Sequence, residues 1–204
     1  MYKRQEQLNL STEDAKLLED LYESFKANGA TLNKGDKEKY RKLSMDLSML
    51  TLQFDQNALK DKNRFELLIT DENELSGLPE SARDAAAMLA KSKDKDGWLF
   101  NLSAPSYIPF MRYSDKRDLR EKMYREYMSV GNKGDEFDNK DIIKKIVNIR
   151  LEIAQLMGFK NYAEYALEHT MAKNSANVYK LLNQLLEAYK PIAINEDNAV
   201  EGFA

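Results

Sequence analysis

The sequence predicts a mainly α fold of helical hairpins or a helical bundle, with a small two-stranded β element at about residues 64–70 and 97–103. Three observations support this prediction. Only 8 of the 204 residues are glycine and 4 are proline, which leaves few residues for turns. Leu, Lys, Glu and Ala, which favour helices, are abundant. Most apolar residues recur every three or four positions, whereas two short segments alternate instead.

The first predicted helix begins after Ser11 and ends near Gly29. Ser11 and Asp14 have the spacing of a capping box, with Asp in place of the usual Glu or Gln. Gly29 can adopt the left-handed conformation that closes a helix. The apolar residues of this segment fall on one helical face: Leu17, Leu18, Leu21, Tyr22 and Phe25.

A second, longer helix is predicted from just after Asn33 to about Lys60. It carries an apolar seam in steps of three and four residues, which is typical of packing against a partner helix. The first two helices are therefore expected to form an antiparallel hairpin. Core packing is favoured over a ligand-binding role for the seam, which comprises Tyr40, Leu43, Leu47, Leu50 and Phe54.

The β element rests on two segments, RFELLIT at 64–70 and GWLFNLS at 97–103, in which aromatic and β-favouring residues alternate with others. They are predicted to pair with each other. The residues between them predict a compact helix with Pro79 at its first position.

Helices resume after the second strand. Residues 105–113 predict a helical turn with Pro105 near its start, and Ser114 is expected to cap the next helix. The loop at 131–139 is predicted to be exposed, with Asp138 or Asn139 capping the helix that follows. Pro191 is expected to bend or stop the last helix. The predicted helices in this part are 115–130, 140–158, 161–172 and 175–190.

Composition excludes several classes of function. The 31 basic and 34 acidic residues give a net charge of -3, which argues against a nucleic-acid surface because phosphates require a positive excess. The absence of cysteine excludes disulfides, thiolate metal sites and cysteine nucleophiles. No stretch reaches the roughly 20 apolar residues of a membrane span, and the first ten residues do not resemble a signal peptide. A cytoplasmic location is expected, with the periplasm left open.

His169 is the only histidine and directly follows Glu168. A hydrolytic zinc site commonly uses His-Glu-x-x-His, because that spacing places both imidazoles on one helical face. With no second histidine, His169 is interpreted as a structural helix residue. Serine-nucleophile and phosphate-loop motifs are also missing. We therefore predict no catalytic, cofactor-binding or metal-binding residue in this chain.

Several charged and aromatic features have a simpler structural interpretation. The acidic pairs at 13–14, 19–20 and 71–72 are expected to be solvated. In the charged helix at 115–128, Glu121 lies four residues from both Arg117 and Arg125, which predicts ion pairs. Trp98 and the tyrosines are expected in the core rather than in a groove.

Four segments together resemble the zinc oligopeptidases of the thimet oligopeptidase type, most closely bacterial peptidyl-dipeptidase and oligopeptidase A. Residues 25–57 carry a Gly-Ala-x-Leu turn and a Phe-x-x-Asn near the helix end, and residues 74–90 carry Leu-x-Gly-Leu-Pro. Residues 97–129 combine a tryptophan strand, Pro-Ser-Tyr and Leu-Arg-Glu. Residues 138–173 carry a Gly-Phe-x-Asn-Tyr-Ala element followed by Met-Ala. The resemblance covers nearly the whole chain, in consistent order.

The resemblance implies that this chain is a single helical domain over 1–204, truncated at both ends, from the non-catalytic region of a larger two-lobed metallopeptidase. Members hydrolyse short peptides in a deep channel, with zinc-bound water activated by a glutamate. Their His-Glu-x-x-His helix lies downstream of the segment seen here. The implied role is therefore part of the channel wall, and the isolated chain is expected to be inactive and to hold no zinc.

The partners implied are the missing catalytic lobe of the same polypeptide and, for the parent enzyme, short peptides. Helices that would pack on that lobe are expected to expose apolar surface and to promote self-association. The alternative is a stand-alone helical module that binds a peptide or protein without catalysis.

Overall fold

The computed structural model describes residues 10–203, and within this range the chain forms eight α-helices, one 3-10 helix (Glu72–Leu75) and one two-stranded sheet. The strands are β1 (Leu67–Ile69) and β2 (Trp98–Phe100). The predicted mainly α fold with a two-stranded element is confirmed. The helices are α1 (Thr12–Ala27), α2 (Lys34–Arg64), α3 (Glu80–Lys91), α4 (Ala104–Tyr113), α5 (Arg117–Met128), α6 (Lys140–Leu156), α7 (Tyr162–Leu167) and α8 (Ser175–Glu201).

The chain divides into two compact units. The first comprises the residues up to Asp46 and those from Asn148 onward, and the second comprises Leu47–Val147. Helices α2 and α6 contribute residues to both units. The single domain over 1–204 stays a prediction.

The second unit has a continuous apolar core around the sheet. The strands pair antiparallel, with Leu67 opposite Phe100 and Ile69 opposite Trp98. Leu67 and Ile69 point into the core whereas Leu68 between them is 41% exposed, as the alternation predicted. The ring of Phe100 meets that of Phe110 edge to face, with centroids 4.8 Å apart. The buried cluster comprises Phe65, Leu67, Ile69, Leu75, Leu78, Ala86, Phe100, Leu102, Phe110 and Met123.

The first unit buries much less apolar surface. Its buried apolar residues are Leu43, Ile153 and Ala154. The hydroxyl of Tyr165 donates to the carbonyl of Ala27 at 2.8 Å, and burial raises the pKa of Tyr165 to about 12. This bond ties α7 to the end of α1.

Helix α1 begins as predicted but does not bury the face that was expected to pack. The Ser11 side chain accepts a bond from the amide of Asp14 at 3.1 Å, and Gly29 has a φ of +80°. Leu17 and Phe25 are 58% and 56% exposed. The apolar face of α1 therefore has no covering partner within residues 10–203, although its sequence is that of a packing helix.

Three predicted boundaries in the second unit are wrong. Pro79 is the N-cap of α3 rather than its first helical residue. Residues 105–113 belong to α4, a ten-residue helix rather than a single turn. Ser114 ends α4, since its amide donates to the carbonyl of Phe110, and Lys116 is the N-cap of α5. The only bond of the Ser114 hydroxyl toward α5 is the one it accepts from the Lys116 amide at 3.3 Å.

Two helices of the first unit also differ from prediction. Helix α7 ends at Leu167, because the chain turns before Asn174, whose side chain caps α8. Helix α8 runs through Pro191 to Glu201 instead of stopping. Because α8 is exposed from Tyr179 to its end, water can bond the carbonyl that Pro191 leaves without a helical partner.

Replacing Gly77 with alanine is expected to destabilise the second unit more than replacing Gly134. Both glycines have positive φ, at +83° and +72°, so each alanine pays roughly 1–2 kcal/mol for the left-handed conformation. A Cβ at Gly77 would also lie 2.1 Å from the Tyr113 carbonyl oxygen, whereas one at Gly134 meets nothing within 4 Å.

Urea unfolding followed by the fluorescence of Trp98, which lies in the second unit, measures both variants. Equal losses for Gly77→Ala and Gly134→Ala would contradict the close approach.

Candidate functional site

A buried carboxylate near the end of α2 is the centre of the main polar cluster. The side chain of Asp61 is fully buried. Its Oδ2 accepts from the amide of Gly131 at 2.7 Å. Its Oδ1 lies 2.7 Å from Arg64 Nε and 3.1 Å from Lys133 Nζ. A buried carboxylate is costly unless its oxygens are bonded, and here three donors surround it.

The same helix holds the far end of the loop at 131–139. Asn57 Nδ2 donates to Asn139 Oδ1 at 3.1 Å, and Asn139 Nδ2 donates to the carbonyl of Phe54 at 3.0 Å. The Asn139 amide donates to the carbonyl of Gly131 at 2.8 Å, which closes the loop on itself. We call Asn57, Asp61, Arg64, Lys133 and Asn139 the loop clamp. The predicted exposure of the loop is wrong at its ends, since Gly131 and Asn139 are buried.

Charged side chains at the edge of the loop clamp reinforce it. Arg64 forms an ion pair with Asp135, and its guanidinium lies 5.1 Å from the ring centroid of Phe137. The bond from Arg64 holds the pKa of Asp135 below its usual value. Burial disfavours the charged form of Lys133, but its bonds to Glu126 and Asp61 outweigh burial and raise its pKa.

The geometry of the loop clamp supports a structural role rather than a catalytic one. Both oxygens of Asp61 are occupied, and the ammonium of Lys133 is shared with Glu126 at 2.7 Å. An acid–base catalyst needs a group that can reach a substrate proton, and Asp61 is enclosed by its donors. The cluster therefore fixes a loop to α2.

The sequence carried a signal for the loop clamp that periodicity analysis missed. The apolar seam of α2 ends at Phe54, but Asn57 and Asp61 continue its steps of three and four. They lie on the same helical face. Polar residues that continue an apolar seam indicate buried groups with bonding partners.

His169 lies where no zinc chemistry is assembled around it. It is in the turn that follows α7, so the predicted helical position is wrong. Its Nε2 is 3.4 Å from the neighbouring Glu168 carboxylate, and its side chain is 49% exposed. Between residues 10 and 203, no group of three or more His, Cys, Asp or Glu side chains could hold a metal ion. The described residues thus do not fit a zinc site.

The other features singled out in the sequence have structural partners. Lys16 bonds both Glu19 and Asp20 at 3.0 Å, and Asp71 caps the 3-10 helix through the amide of Asn73. Of the two ion pairs predicted for Glu121, the one with Arg125 is present at 2.6 Å, whereas the described residues show none with Arg117. Trp98 packs against the core as predicted, but the same prediction is wrong for several tyrosines: Tyr124, Tyr179 and Tyr189 are 49%, 64% and 63% exposed. No helix in the described part of the chain has the length and apolarity to cross a bilayer.

Helix α8 carries the second feature with functional consequences, a wide exposed apolar face. Not one of its 27 residues is buried. Leu182, Leu186 and Tyr189 are 50%, 58% and 63% exposed, and helical periodicity places them on one side. Exposed apolar patches of this kind commonly mark sites of contact with another protein surface, a membrane or a ligand.

Sequence comparisons give a consistent result. Peptidase family M3 matches residues 110–204. Oligopeptidase A of Salmonella typhimurium is 36% identical over 199 residues, which is 96% of this chain and 29% of that protein. Oligopeptidase A of Haemophilus influenzae is 37% identical over 192 residues, covering 92% of this chain and 28% of the relative. Dipeptidyl carboxypeptidase of Escherichia coli is 30% identical over 197 residues, covering 96% and 29%.

Replacing Asp61 with asparagine is expected to destabilise the second unit by about 2–4 kcal/mol, because Arg64 and Lys133 would lose their shared charge and the Gly131 amide its strong acceptor. The matched control is Glu121→Gln, which removes an ion pair whose partners are 54% and 75% exposed and should cost at most about 0.5 kcal/mol.

Urea unfolding followed by Trp98 fluorescence tests both substitutions. A loss for Asp61→Asn no larger than that for Glu121→Gln would mean that the buried carboxylate does not hold the loop.

Proposed function

Because this chain belongs to peptidase family M3 and spans about 29% of the length of the relatives it matches, we propose that it is a segment of a zinc-dependent metallopeptidase that hydrolyses short peptides. The observation that carries this proposal is the 36% identity to oligopeptidase A over 96% of the chain. The names oligopeptidase A and dipeptidyl carboxypeptidase both describe action on peptides. One relative is called a probable cytosolic oligopeptidase, which supports a cytoplasmic location.

In this proposal the chain contributes structure rather than chemistry. Zinc would supply the activated water for hydrolysis in the whole enzyme, and polypeptide outside this chain would hold it. The helices of this chain would form part of the wall of the substrate channel. The loop clamp supports such a role, because a channel wall must keep its shape. A loop already bonded to a helix loses little further conformational entropy when a substrate binds.

The exposed faces of α1 and α8 support packing against the remainder of the enzyme. Both helices have apolar sides that are about half exposed. Covering roughly 50 Å² of apolar side chain contributes about 1 kcal/mol. These two helices therefore offer the surface to which we assign the catalytic lobe.

Segment exchange tests the proposed function. The 199 matched residues of oligopeptidase A from Salmonella typhimurium are replaced by those of this chain. The chimera is expected to retain zinc-dependent cleavage of short peptides, because the zinc site of the recipient would be intact and the wall equivalent. A second chimera that carries Asp61→Asn should be less stable to heat, with unchanged zinc content.

The purified 204-residue chain is the complementary arm of the same test, and it should neither retain stoichiometric zinc nor cleave peptides. Zinc binding and turnover by this chain alone would contradict the proposed division of labour. A chimera that folds and binds zinc but cleaves nothing would favour the stand-alone binding module.

The isolated chain is also expected to self-associate through α8. A Leu182→Glu/Leu186→Glu double variant should shift the chain toward monomer, since the charges would have to be desolvated in any apolar contact. The matched control is Gln184→Glu, which adds charge on the polar side of the same helix.

Light scattering at several protein concentrations measures the effect. A chain that is monomeric before substitution, or equal shifts for the double variant and the control, would contradict association through this face.

A further inference from the structure

Helices α4 and α5 border an open groove in the second unit. It shares Met111 with the edge of the core but no residue with the loop clamp. Its volume is about 460 Å³. We call it the α4–α5 groove. Its lining combines apolar surface with arginine side chains, and comprises Met111, Arg117, Arg120, Glu121, Tyr124 and Arg125.

Positive charge dominates this lining, with three arginines against one glutamate. Glu121 is paired with Arg125 at 2.6 Å, and Arg120 donates to the carbonyl of Ser114. Asp115, two residues before Arg117 in sequence, accepts from the Ser76 hydroxyl at 2.7 Å. The Arg117 side chain has no hydrogen bond or ion pair with another residue between 10 and 203. One guanidinium is therefore available for a ligand.

The start of α5 adds to the positive potential. Arg117 is the first residue of this twelve-residue helix, and the N-cap Lys116 provides no side-chain cap. A helix N-terminus carries a partial positive charge from its unpaired amides. Asp118 in the first turn offsets part of this charge. The guanidinium and the helix end together favour an anion that guanidinium groups can bind through paired hydrogen bonds.

The apolar part of the lining indicates what carries the anion. Tyr124 is 49% exposed, and Met111 also lines the groove. An aromatic ring and a thioether favour contact with an apolar side chain. A ligand that combines carboxylates with apolar side chains fits both halves of the groove, whereas a bare phosphate uses only one.

From this combination we propose that the α4–α5 groove binds an acidic peptide segment, with a carboxylate on Arg117 and an apolar side chain against Met111 and Tyr124. The choice of a peptide rests on the proposed function, but binding needs neither zinc nor the rest of an enzyme. The groove would act as a surface that retains acidic peptides.

Binding is tested on the 204-residue chain by fluorescence anisotropy. The probe is a labelled hexapeptide, Glu-Leu-Glu-Leu-Glu-Leu, and the matched probe has glutamine in place of each glutamate. The acidic probe is expected to bind at least about fivefold more tightly in low salt, and 0.5 M NaCl should reduce the difference, since exposed charge pairs are weak and screened.

Two variants locate the site. Arg117→Glu should weaken the acidic probe about fivefold or more, while Lys122→Glu, the same charge reversal on α5 outside the lining, should change binding less than about twofold. Circular dichroism confirms that both variants fold. Tyr124→Ala should weaken both probes, because it removes the apolar contact.

Four results would overturn the proposal: no binding of the acidic probe, equal binding of the two probes, equal effects of Arg117→Glu and Lys122→Glu, or tighter binding of a short single-stranded oligonucleotide. None of them bears on the segment exchange, which measures hydrolysis at a site outside this chain. An active chimera with a groove that binds nothing would leave the proposed function standing and remove only this inference.

Discussion

The second unit depends on a carboxylate that is hidden from water. Asp61 is enclosed by the Gly131 amide, Arg64 and Lys133. An ion in this position is stable only while each of its partners stays in place. The requirement fixes the end of α2, the loop after α5 and the start of α6 with respect to one another. A single buried charge thus organises residues about 70 positions apart in sequence.

The two units bury apolar surface very differently. The second closes its core around Phe100 and Phe110, both of them buried. The first leaves the apolar sides of α1 and α8 open, and few of its side chains are buried. Exposed helical faces with so many apolar residues have the composition of a protein interface. This contrast is the physical basis of the proposal that those helices pack against further polypeptide.

Much of the fold could be predicted from local pattern, and the failures have identifiable causes. The cap at Ser11, the alternation at 67–69 and the helical periods were local signals that needed no tertiary information. The expected stop at Pro191 was wrong because proline removes one helical hydrogen bond, and in an exposed helix water can take the place of the missing donor. The exposure of the loop at 131–139 was misjudged at its two ends, because the bonds that bury Gly131 and Asn139 come from Asp61 and Asn57, which are far away in sequence. The α4–α5 groove could not be predicted from the sequence, because it exists only where α4 and α5 pack side by side.

The bond from the Gly131 amide to Asp61 gives the loop at 131–139 an amide that is protected from hydrogen exchange. Amide protons in surface loops generally exchange with solvent freely, because nothing inside the protein retains them. The Gly131 proton instead faces a carboxylate with no exposed surface, so deuterium can replace it only when the cluster comes apart. The hydrogen-exchange rate of this amide therefore measures how often the cluster around Asp61 opens, although loop amides are usually too exposed to report on such openings.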